Sequence, residues 1–208
     1  MASTGSQPQT TVYPDETAVN TPAQELGSGA PKGLKCTCMA PVDAEGLVPV
    51  ESDSTLLSIY RKQLSDSFPF VVIAADTTPT QLQTNRPFLM KVIRMAASVR
   101  HLPSMRAQSR TVMEHISNAV LLRSERSLDL LQGILALLGF YHYHCLVHAQ
   151  FNNLVRIAVS VCEDLDLGTC SSSQRIRSQV PLVGNVDRVC RTNEQKRALL
   201  AVWYMSSK

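Results

Sequence analysis

The chain has 208 residues, a formal net charge of +3, 44% hydrophobic and 18% charged residues, which is the composition of one soluble domain plus a tail. A folded part of about 150 residues buries about 70% of its unfolded surface, so a core forms without disulfide or metal staples, although these figures do not decide fold class. The longest near-apolar run, Leu130–Tyr141, is too short to cross a bilayer, which excludes a membrane-spanning helix.

Charge is unevenly spread. Residues 1–53 carry two Lys against seven acidic residues, or −5, and residues 54–208 carry 18 basic against ten acidic residues, or +8. Such an excess suits an acidic partner or nucleic acid, yet the basic residues are scattered with few aromatics between them, and a solvated surface accounts for them. The six cysteines are Cys36, Cys38, Cys145, Cys162, Cys170 and Cys190. The first thirty residues are polar and rich in Ser, Thr, Gln and Pro, so no secretory leader is expected and the thiols are read as reduced.

Residues 1–53 are poor in aliphatics at the start, are punctuated by Pro8, Pro14, Pro22, Pro31, Pro41 and Pro49, and hold Gly27, Ser28 and Gly29. Too little apolar surface is available there to offset ordering entropy, so a disordered acidic tail is expected. From residue 54 a helical domain is expected. Leu56, Leu57, Tyr60 and Leu64 recur at helical spacing and predict a short amphipathic helix to about Ser65. Phe68–Ile73 contains Pro69 and β-branched residues, which favour a buried extended connector. Asp76–Thr80 reads as a turn, and Pro87 reads as the first-turn proline of a helix capped near Asn85, with Phe88, Leu89, Val92, Ile93, Ala96 and Val99 as its apolar face.

His101–Pro103 interrupts the pattern, and a second long helix follows with Met105, Val112, Ile116, Ala119 and Val120 on one side and Arg106, Arg110 and Glu114 elsewhere. Ser127 can cap the next helix, with Asp129 in its first turn where a carboxylate suits the helix dipole. From Leu128 to Leu138 only Asp129 and Gln132 are polar, so this helix is expected to be the central, most buried element. Phe151, Leu154, Val155, Ala158, Val161, Cys162 and Leu165 form a helical stripe, with Gly168 placed as a left-handed stop. Thr169–Arg191 shows no sustained period and reads as a long loop. Thr192 and Gln195 then form a capping-box pattern before a last helix carrying Leu199, Leu200, Val202, Trp203 and Met205. With no internal repeat and no hairpin pattern, the fold is read as all-α.

Three stretches carry a family resemblance: FPFVVIAADTTPTQLQTNRPFLMKVIRMAAS at Phe68–Ser98, SERSLDLLQGILALLGFYHYH at Ser124–His144, and RTNEQKRALLAVWYMSSK at Arg191–Lys208. Their order resembles the middle homology regulatory domain of fungal zinc binuclear cluster (Zn2Cys6) transcription factors. The resemblance covers about two-thirds of the chain and implies an α-helical regulatory domain of a nuclear DNA-binding protein. The chain departs from the pattern near Ala74 and Ala75, where a proline is expected. It departs further in its cysteines, because the family's DNA reader holds two zinc ions on six, whereas only Cys36 and Cys38 precede residue 145 here. The phrase PKGLKCTCMA is similar to the end of such a cluster, so Cys36 is placed as a remnant of its last ligand. The family domain also continues with more helices beyond RALLAVWYMSS, so the expectation is a fragment, a truncated product or a reduced paralogue.

Metal chemistry has one local candidate. On a helix His144 and His148 lie one turn apart and Cys145 lies three residues from His148, so three soft ligands could converge. The competing reading, which we favour, makes YHYH a packing word at the end of the central helix. Cys36 and Cys38 lack a second ligand pair nearby, and Cys162 sits on an apolar stripe as a small hydrophobe. No nucleophile elbow, phosphate loop, H-E-x-x-H or zinc deaminase word is present, and Asp164 and Asp166 point to different sides of a helix, so no enzyme is expected. Arg175, Arg177, Arg188, Arg191, Lys196 and Arg197 are read as a hydrated basic surface rather than a phosphate site.

The leading expectation is therefore a transcription regulator acting through its helical domain by protein contacts, with Leu199, Val202 and Trp203 as the interaction surface. Protein partners or self-association are expected, DNA binding only if a longer form supplies a zinc cluster, and no cofactor for this chain itself. The alternatives are a cluster-less interaction protein that titrates intact relatives, and a small metal-binding protein built on His144, Cys145 and His148.

Overall fold

Seven α-helices, and no strand, run through the described residues of the computed structural model, which are 49–143, 150–168 and 191–207. They are α1 (Asp53–Ile59), α2 (Pro79–Asn85), α3 (Pro87–Ala97), α4 (Leu102–Ser117), α5 (Leu128–Gly139), α6 (Phe151–Asp164) and α7 (Asn193–Ser206). The all-α reading holds. None of the described helices is long and apolar enough to cross a membrane. Residues 1–48 of the expected tail and most of the expected loop after residue 168 lie outside the described residues, and the end of that tail is corrected: Ser52 caps α1 and Asp53 is its first residue, so order begins before residue 54.

Helix α5 begins where Ser127 accepts the Leu130 amide. Leu130, Leu131 and the run Ile134–Leu138 are all buried, so α5 is the central element that its apolar circumference predicts. Helix α3 packs on it more extensively than any other pair of elements pack, and it is buried more widely than its expected face: Met90, Met95 and Ala97 are enclosed as well. The reason is coverage from several sides, since α1, α2 and α4 also contact α3. Val99, assigned to that face by spacing, falls beyond the helix end and is exposed.

The α3–α5 seam depends on a missing side chain. A Cβ built on Gly133 lies 2.3 Å from Cδ1 of the Phe88 ring, so the ring occupies the space that any other residue would need. His115 of α4 stacks on the same Phe88 ring, its own ring 4.5 Å away and nearly parallel to it. Gly139 plays the same part for Phe68, whose Cγ lies 2.6 Å from a built Cβ.

Two further expected boundaries are corrected. Asp76–Thr80 is not wholly a turn: Thr78 and Gln81 form a capping box, with hydrogen bonds of 3.2 and 2.8 Å, and α2 starts at Pro79. At the end of α6 the left-handed residue is Asp166, with φ 53°, not Gly168. The Leu167 amide donates to the Cys162 carbonyl and the Asp166 amide to that of Glu163, which is a Schellman stop, and Leu167 is buried to complete it. The signal that outranked glycine was the leucine at 167. It must turn inward.

Helices α1 and α4 each run on into a wide π turn, Tyr60–Leu64 and Asn118–Leu122. The first places Tyr60 in the core, where its hydroxyl donates to the Val71 carbonyl at 2.9 Å and burial pushes its pKa up. That bond, with Phe68 packed edge-on to Phe140, holds the connector after residue 67. The connector is irregular and half-buried, with Phe68 and Val71 inside and Pro69 and Val72 outside.

Helix α4 has a partly polar inner side. That side includes Ser104, Gln108 and Ser109; the Gln108 amide donates to Ser98 Oγ at 3.2 Å and Ser104 Oγ at 3.0 Å, which offsets the burial of those three groups, whereas Ser109 Oγ has no hydrogen-bond partner among the described residues.

Two outcomes test this packing. Gly133→Ala gains about 1 kcal/mol of helix propensity, yet the clash with Phe88 costs about 1–3 kcal/mol of overpacking, so thermal unfolding followed by circular dichroism should shift downward. Adding Phe88→Leu should recover part of that loss. At the start of α1, Arg94 donates to both Asp53 oxygens, at 2.7 and 2.6 Å, and these bonds hold the Asp53 carboxyl below its ordinary value. Its contribution is therefore complete above the unfolded carboxyl pKa of about 3.9 and is lost as pH falls through the lower folded value. Asp53→Asn should lower the urea midpoint at pH 7, and the gap to the unsubstituted chain should narrow as pH falls below about 4.

Candidate interaction surface

The last described helix, α7, is seated by its cap and one ion pair. Thr192 accepts the Gln195 amide at 3.2 Å and Gln195 Oε1 accepts the Thr192 amide at 2.9 Å. In the first turn, Glu194 accepts from Arg86 at 2.7 Å, and the other arm of Arg86 donates to Gln132 of α5 at 3.0 Å. Ala198, Ala201, Val202 and Met205 recur at helical spacing and are buried against α5 and α6.

This seating divides the expected surface of Leu199, Val202 and Trp203. Val202 faces the core at 8% exposure and Leu199 is half-buried against it, whereas Trp203 is 69% exposed. The outward stripe is instead Lys196, Leu200, Trp203 and Ser207, at steps of four, three and four residues. Leu200 is 54% exposed and was missed, because Leu199, Val202 and Trp203 also obey helical spacing and α7 alone allows either choice. Beside the stripe, Tyr204 is partly exposed and rests on Phe70 of the connector, with ring centroids 5.4 Å apart. The apolar patch thus has a rigid backing. Its two large side chains each offer about 1.5–3 kcal/mol on full burial.

A second feature lies between α4 and α6, a cavity of about 170 Å³ lined by Met113, Ile116, Ser117, Leu121, Gln150, Asn153, Leu154 and Ile157. It is smaller than the roughly 300 Å³ at which sites for drug-sized ligands begin. Its scale is that of one side chain, and the neighbouring Leu121 and Leu122 are exposed.

His144, Cys145 and His148 lie outside the described residues, as do Cys36, Cys38, Arg175, Arg177 and Arg188. Among the described residues no group of three metal-ligating side chains comes together. Cys162 is buried on the inner stripe of α6, and burial pushes its thiol pKa up. The Asp164 carboxylate stands 3.7 Å from Arg126, and Arg191 donates to the backbone carbonyl of Asp166 at 3.5 Å.

In sequence the chain is similar to transcription factor himD of Aspergillus japonicus, with 29% identity over 163 residues, which is 78% of this chain and 27% of the relative. The chain therefore spans about a quarter of that relative's length. No family model matches it, and no solved structure matches it.

The division of α7 into an inner and an outer stripe is checked by paired substitutions. Trp203→Ser should change unfolding free energy by no more than about 0.5 kcal/mol, as for an exposed site, whereas Val202→Ala should cost about 2 kcal/mol. Urea unfolding of both variants measures the contrast.

Proposed function

We propose that this chain is a fungal transcription regulator of the zinc binuclear cluster type, represented here by its helical middle homology region and working in the nucleus through protein contacts. The observation that carries the reading is the similarity of 163 residues to a named transcription factor. The outer stripe of α7 supports the mode of action: Leu200 and Trp203 stand exposed on a helix whose opposite side is fixed in the core. Interfaces draw most of their energy from a few such aromatic anchors.

The donor set of the chain does not fit a zinc binuclear cluster. Six thiolates are needed, and Cys36 and Cys38 are the cysteines available before residue 145. Direct reading of base pairs is accordingly assigned to a longer form that supplies the cluster, and no step of this chain's action is routed through zinc. We assign it no enzymatic activity, since the sequence lacks the words of nucleophilic, phosphate-loop and metalloprotease chemistry.

The test fuses the full chain to an unrelated DNA-binding module in a fungal reporter strain. Reporter output should change with the chain attached and return toward the module-alone level with Leu200→Ser and Trp203→Ser together, at equal protein abundance. An output that never departs from the module alone refutes a regulatory role. A change that survives the double substitution refutes α7 as the contact surface.

A further inference from the structure

We infer that Thr78 is a phosphorylation site for a proline-directed protein kinase, with Arg61 as the cation that receives the phosphate. The juxtaposition that carries this is between an exposed threonine, followed by a half-buried proline, and a guanidinium already held at its backbone. Thr78 is exposed and is followed by Pro79. Its backbone is extended, with φ −78° and ψ 158°, and the residues before it, Val72–Ala74 and Thr77, are neither helix nor strand. A kinase cleft can therefore take the segment leading into the hydroxyl without first unfolding the core.

Arg61 comes from the π turn after α1. Its Nη2 donates to the Ala74 carbonyl at 2.5 Å and to the Thr77 carbonyl at 2.6 Å. The Thr77 carbonyl and the Thr78 amide belong to one peptide unit, so the cation lies within a side chain's reach of the Thr78 hydroxyl. Its Nε–H is enclosed and has no acceptor, so a phosphate meets the guanidinium through its Nη groups, of which only Nη2 is engaged by the two carbonyls. A guanidinium matches phosphate with bidentate geometry, and a phosphate of about −1.5 to −2 charge outbids a neutral carbonyl for it. Asp76, two residues earlier, is the opposing carboxylate in the same loop, and Lys62 adjoins Arg61 on the favourable side.

In the transfer step a base on the kinase takes the proton from Thr78 Oγ1. The oxygen forms a bond to the γ-phosphorus of ATP, and the bond from that phosphorus to the ADP oxygen breaks, with its electron pair leaving on ADP. Before modification Thr78 Oγ1 accepts the Gln81 amide at 3.2 Å, and the phosphate oxygens can take over that role. The ordered loop continues back to Phe70, which packs on Tyr204 beside Trp203, so the modification sits on the segment that borders the outer stripe of α7.

The chain carries its own control, because Thr21-Pro22 is a second Thr-Pro word and no Ser-Pro word exists. The full chain is incubated with a proline-directed kinase and ATP, and the phosphate is placed by mass spectrometry. Phosphate should enter Thr78, and Pro79→Ala, which keeps the hydroxyl, should abolish entry there while leaving Thr21 modified. Hydrogen exchange at Ala74–Thr78 should then slow roughly tenfold on phosphorylation, as one charge-assisted hydrogen bond implies, and should not slow in Arg61→Gln. Phosphate confined to Thr21 overturns the site. Equal slowing with and without Arg61 overturns the role of the cation.

Discussion

The fold turns on a carboxylate that caps a helix other than its own. Arg86, at the start of α3, has no side-chain capping bond, and Pro87 follows it, so α3 cannot satisfy its own first amides. Asp129 of α5 does so instead, with its two oxygens accepting the Phe88 amide at 2.9 Å and the Leu89 amide at 2.8 Å. An ordinary N-cap is worth about 0.5–2 kcal/mol, and a charged acceptor strengthens each bond. Set against a total stability of about 5–15 kcal/mol, one side chain holds the two most buried helices in register.

The same face of α5 supplies the rest of the seam. Asp129, Gln132 and Gly133 are spaced three and four residues apart, so they stand together on one side of the helix. The first caps α3, the second accepts from Arg86, and the third makes room for the Phe88 ring. Arg86 passes the arrangement outward by pairing with Glu194, which fixes the first turn of α7 and hence which side of that helix meets water. The exposure of Trp203 is thus tied, through the buried stripe opposite it, to a polar contact made at the start of α3, four helices earlier.

The sequence was most legible where a single element decides its own state. Helical spacing, the Ser127 cap, the Thr192–Gln195 capping box and the central burial of α5 are local properties, and each is present in the structure. The losses occur where a decision belongs to two elements. Asp129 was placed correctly in the first turn of α5, but the amides it serves lie about forty residues earlier, so its own helix dipole gives no sign of them. Gly133 gives no signal within α5, because the Phe88 ring that needs the gap is on another element. At the end of α6 the glycine at 168 drew attention from Asp166, whose left-handed backbone is fixed by the inward turn of Leu167. The choice between Leu199 and Leu200 on α7 is of the same kind, since two stripes share the spacing and only the partner helices select one.

The three stretches through which the chain resembles fungal regulators look like independent words, yet they meet in one place. Arg86 and Phe88 belong to the first, Asp129, Gln132 and Gly133 to the second, and Glu194 to the third. Their contacts run from Phe88 and Leu89 to Asp129, from Arg86 to Gln132, and from Arg86 to Glu194. What the words encode together is one three-helix joint, which no catalytic or ligand-binding demand is needed to explain. The joint uses only the start and the inner side of α7, so the outer stripe, with Leu200 and Trp203 exposed, takes no part in holding the core together.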